Sequence, residues 1–467
     1  MKQQSIDVSN ERQLFIDELF LDNGDGIFLK VHPPRVENVI FASDNPWENA
    51  GIHYANVLKD GDRYRMWYRS DNGSVVNDDQ WETFTCYAES TDGISWEKPS
   101  LGLVEFNGST GNNIALDASV GSNPVIIIDP DNVGNSKYKM ITRDSDVLGH
   151  TSADGITWTG VETNPILTNG PFDSQNVLIW DNECENYVIY TRGVGMSQPT
   201  VLDKGHHKHQ REGSFYGGHR AIRRSESKDF LHWTEPEIVL EADDRDPDGF
   251  NLYTNACVKY HRAQRSYFMF PTLLWLGRQY QSAPREGLSD VQLAVSRDGI
   301  NWTRYREPWI RPGRDERNWV DRAFFVGVGM LETASDEISM YYSEFYRSGG
   351  PESRFRRCTI RMDGFVSVHA PYDGWSEFTT PPMRFVGSEL EMNYATSGGG
   401  GIIVELQDGN GNAIPGYMLE DCNLFFGDKI DGTVSWKTGT DVSVLAKKDI
   451  RMRVRMRDAD LYSFKFR

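Results

Sequence analysis

Short apolar segments separated by polar turns run through most of the chain, and helical periodicity is nearly absent. Residues 52–58 and 63–69 form the first two segments, and residues 83–89 form a third. Short runs rich in β-branched and aromatic residues between turn signals predict antiparallel strands. The same order of segments begins again at residues 125, 176, 256 and 324. The pattern therefore predicts an all-β chain with five similar units.

A seven-residue motif, Ser-x-Asp-Gly-x-x-Trp with small variations, recurs in these units, and we call it the box. Its copies are residues 90–96, 152–158, 227–233 and 296–302, and a weaker fifth copy begins at Arg361. A repeat of about 60 to 75 residues suits a four-stranded propeller blade with long loops. We therefore predict a five-bladed β-propeller, in which each box is a structural turn between the third and fourth strands of a blade.

The pattern changes near residue 365, where the boxes stop while strands and turns continue. Arginine alternates with apolar residues over 451–456, which is typical of a strand with one solvent-facing side. We predict three parts: a lead-in strand segment at 1–46, a catalytic propeller at 47–364 and an accessory β-sandwich at 365–467.

Charge and composition limit the kinds of partner that the chain is expected to bind. The chain of 467 residues has a formal charge of -19, which opposes binding to nucleic acid and to anionic membrane surfaces. It has no apolar run of membrane-span length, its first residues lack the apolar stretch of a secretory signal, and its five cysteines show no paired zinc spacing. The expected location is the cytoplasm, or the periplasm or exterior if a signal peptide was removed. The oligomeric state is left open.

In an antiparallel blade, the start of the first strand and the end of the second strand lie on one face of the propeller, opposite the boxes. Polar and aromatic residues occupy both kinds of position. Those at the starts of first strands are Glu48, His53, Asn123, Asp173, Gln175, Asn176, Tyr253, Asn255, Trp319 and Asp321. Those at the ends of second strands are Arg69, Arg143, Asp144, Arg192 and Glu344. Their convergence on one axis predicts a site for acid-base chemistry on a polar ligand.

The five units, the convergent carboxylates and the appended sandwich resemble the glycoside hydrolases of the invertase, arabinanase and β-xylosidase kind, those of families 32 and 43. Residues 45–51 stand where invertases have Asn-Asp-Pro-Asn-Gly, and residues 143–145 echo their Arg-Asp-Pro element. The resemblance implies hydrolysis of a glycosidic bond in an oligosaccharide or polysaccharide. It also implies a carboxylate of the first blade, here Glu48, as nucleophile or base.

Cleavage of a glycoside usually needs one carboxylic acid and one carboxylate. The predicted catalytic residues are Glu48, Asp173 and Glu344, with Asp144 and Asp321 as alternates. Glu344 follows apolar neighbours, and partial desolvation favours the protonated form, so it is the expected acid. The predicted substrate-binding residues are His53, Arg69, Asn123, Arg143, Gln175, Asn176, Arg192, Tyr253, Asn255 and Trp319.

Several alternatives stay open. Arg69, Arg143 and Arg192 end three successive second strands and either bind an acidic or sulfated sugar or neutralise the inner carboxylates. A sialidase-like hydrolase, a glycoside phosphorylase and a non-catalytic carbohydrate-binding propeller are the rival functions. Residues 205–210 contain three histidines and form either a substrate lid or a metal site. No cofactor is expected, although a structural or channel ion such as calcium is possible.

Overall fold

The computed structural model describes residues 4–74, 77–130, 136–168, 170–195, 219–281, 283, 286–347 and 352–467. Strands dominate, and the helices of these ranges are single 3-10 turns. The turns are Glu18–Phe20, Pro46–Glu48, Ala118–Val120, Glu316–Asn318 and Ser443–Leu445. The predicted all-β class and the five-bladed propeller are confirmed.

The chain forms two compact units. One contains residues 34–259 and 267–359, and the other contains residues 1–33, 260–266 and 360–467. The first unit is the propeller. The predicted domain limits, 1–46, 47–364 and 365–467, remain a prediction, because compactness does not test which segments fold independently.

Each of the first three blades is a four-stranded antiparallel sheet in chain order. Blade one contains Gly51–Asp60, Arg63–Ser74, Asn77–Ser90 and Ile114–Leu116. Blade two contains Ser122–Ile128, Tyr138–Arg143, Val147–Ser152 and Thr159–Gly160. Blade three contains Val177–Asp181, Asn186–Gly195, His219–Ser227 and Glu237–Leu240. Inner strands such as Asn186–Gly195 are buried almost throughout, because blades pack on both of their faces, and this explains their continuous apolar runs.

Blade four has interrupted inner strands. Its strands are Phe250–Leu252 and Val258–Lys259, Tyr267–Met269 and Thr272–Trp275, Leu288–Ser296, and Trp302–Ile310. Ala256, in the interruption of the first strand, has a φ of 42°, and Asn255 Oδ1 accepts from the amide of Cys257. Tyr253 lies in this interruption, directly after Phe250–Leu252, and its amide donates to the carbonyl of Thr272 at 2.8 Å.

Blade five is completed by a strand from the beginning of the chain. Its first three strands are Phe325–Val326 with Leu331–Ala334, Glu337–Glu344, and Arg354–Arg361, and its outermost strand is Arg35–Ala42. The fifth box is therefore not a turn between third and fourth strands, and its prediction as a box was wrong. Asp363 is instead fully buried in the other unit, where it accepts from Tyr260 and Ser463.

The four full boxes are turns, as predicted. In each, the Asp carboxylate accepts from the two amides that lie two and three residues later, and the Ser hydroxyl bonds the Asp. A bond from the preceding blade reaches three of them: Trp67 donates to the carbonyl of Gly155, Tyr190 to that of Gly299, and Tyr341 to that of Gly93. The boxes thus also join neighbouring blades.

A second set of bonds between blades was not predicted. The Asp at or just after the end of a first strand accepts from a Tyr at the start of the second strand of the next blade. The pairs are Asp60 with Tyr138, Asp129 with Tyr187, and Asp181 with Tyr267. A lysine also donates to each carboxylate. Burial alone would raise the pKa of Asp181, but Lys259 and Tyr267 outweigh it and lower the pKa.

The other unit is built on one ten-stranded, hydrogen-bonded sheet. Its longest strands, Leu390–Asp408 and Ile450–Phe466, pair along most of their length. The remaining strands are Ile6–Ser9, Gln13–Leu14, Asn23–Asp25, Phe28–Val31, Val366–Ala370, Ser376–Thr379, Met383–Phe385 and Asp428–Thr433. Both halves of the two long strands contribute side chains to a single apolar core, so the sheet folds over on itself.

Candidate functional site

The propeller gathers charged and aromatic side chains where first strands begin and second strands end. We call this group the front centre. It consists of His53, Tyr54, Arg69, Asp71, Asn123, Arg143, Asp173, Arg192, Arg220, Tyr253, Asp321, Arg322, Phe325 and Tyr346. All five blades contribute to it. Many of the residues predicted from strand ends therefore lie together here.

Aromatic rings form the base of the front centre. The ring of His53 lies 3.9 Å from that of Tyr346, and Phe325 lies 4.6 Å from Tyr54 and 5.7 Å from Tyr253, measured between centroids. All of these side chains are buried. Burial lowers the pKa of His53 well below its usual value, so this histidine is neutral at physiological pH.

Asp71 is a fully buried carboxylate that the sequence analysis missed. It accepts from Arg69 Nε at 2.8 Å, Thr83 Oγ1 at 3.0 Å and Tyr346 OH at 3.0 Å. His53 Nδ1 lies 3.8 Å from it. Burial opposes the charge of Arg69, but the charge and hydrogen bond of Asp71, together with Tyr346 and Tyr54, outweigh burial and raise the pKa of Arg69. The carboxylate and guanidinium form a fixed pair at the end of a second strand.

Arg69 also links blades one and two. Its Nη1 donates to Asn123 Oδ1 at 2.9 Å. Asn123 is buried, and its Nδ2 has no hydrogen-bond partner among the described residues. Arg143 donates to the backbone carbonyl of Asp144, and burial together with the charge of Arg69 lowers the pKa of Arg143. A donor and an excess of positive charge are therefore available on this side of the front centre.

Tyr253 is enclosed by three guanidinium groups. The carbon at the centre of the guanidinium lies 4.7 Å from the tyrosine ring centroid for Arg192, 5.4 Å for Arg220 and 5.8 Å for Arg322. Arg322 and Arg192 also hydrogen-bond the tyrosine side chain. Burial alone would raise the pKa of Tyr253, but Arg322, Arg192 and Arg220 outweigh it and lower the pKa to about 7. Burial lowers the pKa of Arg192 to about 10.

Two predicted catalytic carboxylates flank this tyrosine. Asp173, 44% exposed in its side chain, contacts Arg192. Asp321 is buried and accepts from Arg322 Nε at 2.9 Å and Nη2 at 2.6 Å. Contacts therefore run without a break across blades three, four and five, in the order Asp173, Arg192, Tyr253, Arg322 and Asp321.

Glu48 lies outside this group of contacts. It is fully buried at the third position of a 3-10 turn that begins after Asn45. Its Oε2 accepts from Lys98 at 2.8 Å and its Oε1 from Tyr68 at 2.6 Å. The amides of Asp44 and Asn45 also donate to it. Its predicted role as nucleophile or base stays a prediction, while these contacts support a role in fixing the loop.

Glu344 and the predicted Gln and Asn side chains also form ion pairs or hydrogen bonds within the protein. Glu344 Oε2 accepts from Arg354 at 2.7 Å and Arg356 at 2.9 Å, so it belongs to a salt-bridge cluster. Gln175, Asn176 and Asn255 donate to backbone carbonyls. Their predicted contacts with substrate, and the catalytic role of Glu344, stay predictions.

Two predicted residues lie near the surface. Asp144 is exposed. Trp319 is half-buried, its Nε1 donates to the carbonyl of Gly313 at 3.0 Å, and its ring lies 5.4 Å from that of Tyr280 with 31° between the planes. Paired, partly exposed rings of this kind can stack on a sugar.

Asp290 is a further carboxyl that the sequence did not indicate. It lies near the start of the third strand of blade four, where Trp275 Nε1 donates to it at 3.1 Å. Burial raises the pKa of Asp290, and Trp275, Arg278 and Arg311 only partly offset this. Among the carboxyls for which the described residues give a resolved shift, it is the one whose pKa is raised, a property suited to a general acid.

The sequence analysis missed four residues, and the reasons lie in where each residue stands on its strand or loop. Asp71 lies two residues beyond the end predicted for its strand, which extends to Ser74 because its polar end still pairs with the next strand. Arg220 and Asp290 begin third strands, which the argument from first and second strands did not cover. Arg322 follows a residue that was predicted, and its φ of 53° turns it back toward Asp321.

The part of the chain that the structure describes holds no group of three His, Cys, Asp or Glu side chains placed to bind a metal ion. The histidines of residues 205–210 lie outside the described residues. Within the described ranges, no helix has the length and apolarity that crossing a membrane requires.

Comparison with known proteins gives distant similarities. No protein-family model matches the chain. Two uncharacterized proteins of Mycobacterium tuberculosis, from strains CDC 1551 / Oshkosh and ATCC 25618 / H37Rv, are each 26% identical over 147 residues, or 30% of this chain. The chain spans about half of the length of these curated relatives, 46%.

Solved structures similar to this chain include a glycoside hydrolase, 16% identical, with a TM-score of 0.46 and coverage of 70% of this chain and 92% of that one. Another is a GH62 hydrolase in complex with xylotriose, 12% identical, with a TM-score of 0.42 and coverage of 71% and 98%. These likenesses are too distant to bear on activity.

Proposed function

We propose that this chain is a glycoside hydrolase whose active centre is the front centre of the propeller. The observation that supports the proposal is the chain of contacts from Asp173 through Arg192, Tyr253 and Arg322 to Asp321, which links carboxylates of two blades through a central ring. Hydrolysis of a glycoside needs two carboxyl groups in different protonation states. Aromatic rings and an unpartnered amide nitrogen beside them suit a sugar.

The roles follow from exposure and environment. Asp173 is the carboxylate that reaches solvent while Arg192 stabilises its charge, which suits a nucleophile or base. Asp290 is not one of the front-centre residues, but it lies near the start of the third strand of blade four, three residues after Gly287, where a Cβ would lie 3.3 Å from Asp321 Oδ1. Because burial raises its pKa, we assign to it the role of the acid that protonates the leaving oxygen. Arg69, Arg143 and Arg192 support an acidic or sulfated sugar as substrate, because guanidinium groups bind such anions in two-pronged fashion.

Aryl glycosides with neutral, uronic acid and sulfated sugars test this proposal, assayed with the native chain and with Asp173→Asn and Asp290→Asn. We expect hydrolysis of at least one anionic glycoside and a loss of kcat of about 100-fold or more in each variant. Asp290→Asn should recover most of its rate on a dinitrophenyl glycoside, whose leaving group needs no protonation. The exposed Glu162→Gln is the matched control. Undiminished turnover in both aspartate variants would refute the assignment, and no turnover of any glycoside would refute the function.

A further inference from the structure

Blades one and two contribute buried nitrogen atoms to the front centre that have no hydrogen-bond partner among the described residues. They are Nδ1 of His53, Nδ2 of Asn123 and Nε of Arg143. His53 pairs with Arg69 in the ladder of blade one, and Arg69 bonds Asn123. Ser122, the residue before Asn123, pairs with Arg143 in blade two. Because a buried polar atom without a partner is costly, these neighbouring atoms mark a place where a ligand can supply acceptors.

Asn123 is the clearest of these groups, because its orientation is fixed. It is 1% exposed, and its Oδ1 accepts from Arg69 Nη1 at 2.9 Å. The bond assigns the oxygen to the arginine and leaves the amide nitrogen as the free donor. Asn56, also buried, is bonded at both ends: its Oδ1 accepts from the amide of Ile126, and its Nδ2 donates to the carbonyl of Val328. Asn123 therefore has a donor to spare that a structural asparagine uses.

The backbone of Asn123 also departs from a regular strand. Its φ is 59°, in the left-handed region that asparagine adopts more readily than most residues. The register of blade two shifts between Ser122 and Val125, around this residue. Such bulges redirect a side chain and are frequent beside active sites, where local strain is retained for function. The strained backbone is a second observation, independent of the free donor, that points to a ligand at Asn123.

Arg143 offers the charge that Asn123 lacks. Its Nη1 donates to the backbone carbonyl of Asp144, and within the described ranges it forms no ion pair with a carboxylate. The edge that carries Nε and Nη2 is therefore left to bind a ligand. Burial and the charge of Arg69 lower the pKa of Arg143, so the two guanidiniums are close enough to repel each other. An anion at Arg143 would offset that repulsion.

We propose that Arg143 and Asn123 bind the carboxylate or sulfate group of an acidic sugar, with two-pronged donation from Nε and Nη2 of the arginine and a third bond from Nδ2 of the asparagine. The inference rests on the proposed function in assigning the anion to a saccharide. A guanidinium edge matches two oxygens of such a group, which a neutral sugar does not offer. All three nitrogens of Arg69 already donate, to Asp71, Asn123 and Thr83, so the anion is assigned to Arg143 instead.

Calorimetric titration of the whole chain tests the proposal. The probes are D-glucuronate and glucose 6-sulfate, with glucose as the neutral control and acetate and inorganic sulfate as free anions. We expect at least one sugar anion to bind about 10-fold or more tightly than glucose, because a charged hydrogen-bonded pair is added. Absence of any such preference would overturn the proposal. Free acetate or sulfate that binds as tightly as the sugar anions would overturn the assignment to a saccharide.

Two variants test the two donors separately. Asn123→Asp keeps the oxygen that Arg69 binds and replaces the free nitrogen with an anionic oxygen, so the affinity for the sugar anion should fall about 100-fold. Arg143→Met should lower it about 10- to 100-fold, because a charged donor is lost. Arg63→Met is the matched control, since Arg63 is 60% exposed at the start of a second strand, on the opposite face. Affinity for glucose should change much less in all three variants.

The outcomes separate this site from the hydrolase. Affinity for the sugar anion that is unchanged in Asn123→Asp or in Arg143→Met, with native thermal unfolding, would show that water satisfies these nitrogens and would overturn the proposal. Anion binding that depends on Arg143 without hydrolysis of any glycoside would leave the site standing and refute the hydrolase. Hydrolysis of neutral glycosides alone, at a rate unchanged in Arg143→Met, would do the reverse.

Discussion

Glu48 illustrates how the local contacts of a single residue decide between a role in catalysis and a role in the scaffold. The residue lies just before blade one, where a nucleophile was predicted, yet two backbone amides, a tyrosine hydroxyl and a lysine from three segments of the chain already donate to its oxygens. The capping pattern of Asn45 followed by Glu at the third position is readable in the sequence and predicts this local binding. Lys98, which supplies the counter-charge, is distant in sequence, and no local pattern shows it.

Glu48→Gln therefore tests scaffold against catalysis. We expect the free energy of unfolding in urea to fall by about 2 kcal/mol, because Lys98 loses its buried counter-charge and keeps the exposed carboxylate of Asp44. Turnover per folded molecule should stay within about twofold of the native value, whereas loss of a catalytic carboxylate costs about 100-fold or more. Glu162→Gln, on the surface, controls for the loss of an acidic side chain. A variant of native stability with abolished turnover would restore Glu48 as a catalytic residue.

At the scale of elements, the box is the best test of how a short pattern stabilises a blade. Asp298 Oδ1 accepts from the amides of Ile300 at 2.8 Å and Asn301 at 2.7 Å. Asp298→Ala should cost about 1 to 2 kcal/mol of unfolding free energy at pH 7, as for the loss of a helix cap. Asp298→Asn keeps the acceptor oxygen and is the matched control. Equal loss in the two variants would show that charge, rather than the hydrogen bonds, matters.

The same turn predicts a pH dependence. Burial opposes ionisation, but the amides of Asn301 and Ile300 outweigh it and lower the pKa of Asp298. A carboxyl whose folded pKa lies below the unfolded value of about 4 stabilises the fold above that value and loses the contribution as pH falls through the folded pKa. The stability difference between the native chain and Asp298→Ala should therefore be constant above about pH 5 and shrink below about pH 4. Urea unfolding at stepped pH measures it, and a difference that grows in acid contradicts the account.

The contact between a box and the preceding blade can be tested at Gly155. Its φ is +75°, and a Cβ there would lie 2.6 Å from Arg65 Nη1 and 3.1 Å from Trp67 Cζ2. Gly61 has a similar φ of +59° but nothing within 4 Å of a Cβ. We expect Gly61→Ala to cost about 1 kcal/mol for its backbone conformation and Gly155→Ala about 1 to 3 kcal/mol more for displaced packing. Thermal unfolding of both variants measures the two losses of stability. Equal losses would show that the preceding blade does not pack against this turn.

Elements were predictable where the information is local, and they were missed where it is not. The four boxes and the paired strands around them depend on neighbouring residues, so repetition revealed both the turns and the blade count. The outermost strand of blade five, Arg35–Ala42, pairs with Arg354–Arg361 from the other end of the propeller. Alternation of side chains shows that a strand exists but not its partner, so the turn at the weak fifth box was wrongly placed between the third and fourth strands of a blade.

At the scale of the whole molecule, the chain's negative charge and the positive front centre act on an anionic ligand at different distances. At low ionic strength the repulsion of a chain of formal charge -19 extends about 30 Å into solution, and at about 0.1 M salt it is screened within about 10 Å. The buried guanidiniums are screened much less, because little solvent reaches them. The association rate constant and the dissociation rate constant of an anion should therefore depend differently on salt concentration.

We expect the association rate constant of D-glucuronate to rise severalfold between about 0.01 and 0.15 M salt, because screening removes long-range repulsion. The dissociation rate constant should change much less over the same range, because contacts of the bound anion are buried. Stopped-flow tryptophan fluorescence of the native chain measures both constants, and glucose supplies the neutral control. A ligand rate that falls with added salt would mean that the local positive field of the front centre, rather than the net charge, governs approach. In that case replacing surface acidic residues with lysine would leave the association rate constant unchanged. If repulsion by the whole chain governs approach, the association rate constant at low salt should instead rise with each acidic side chain that is replaced.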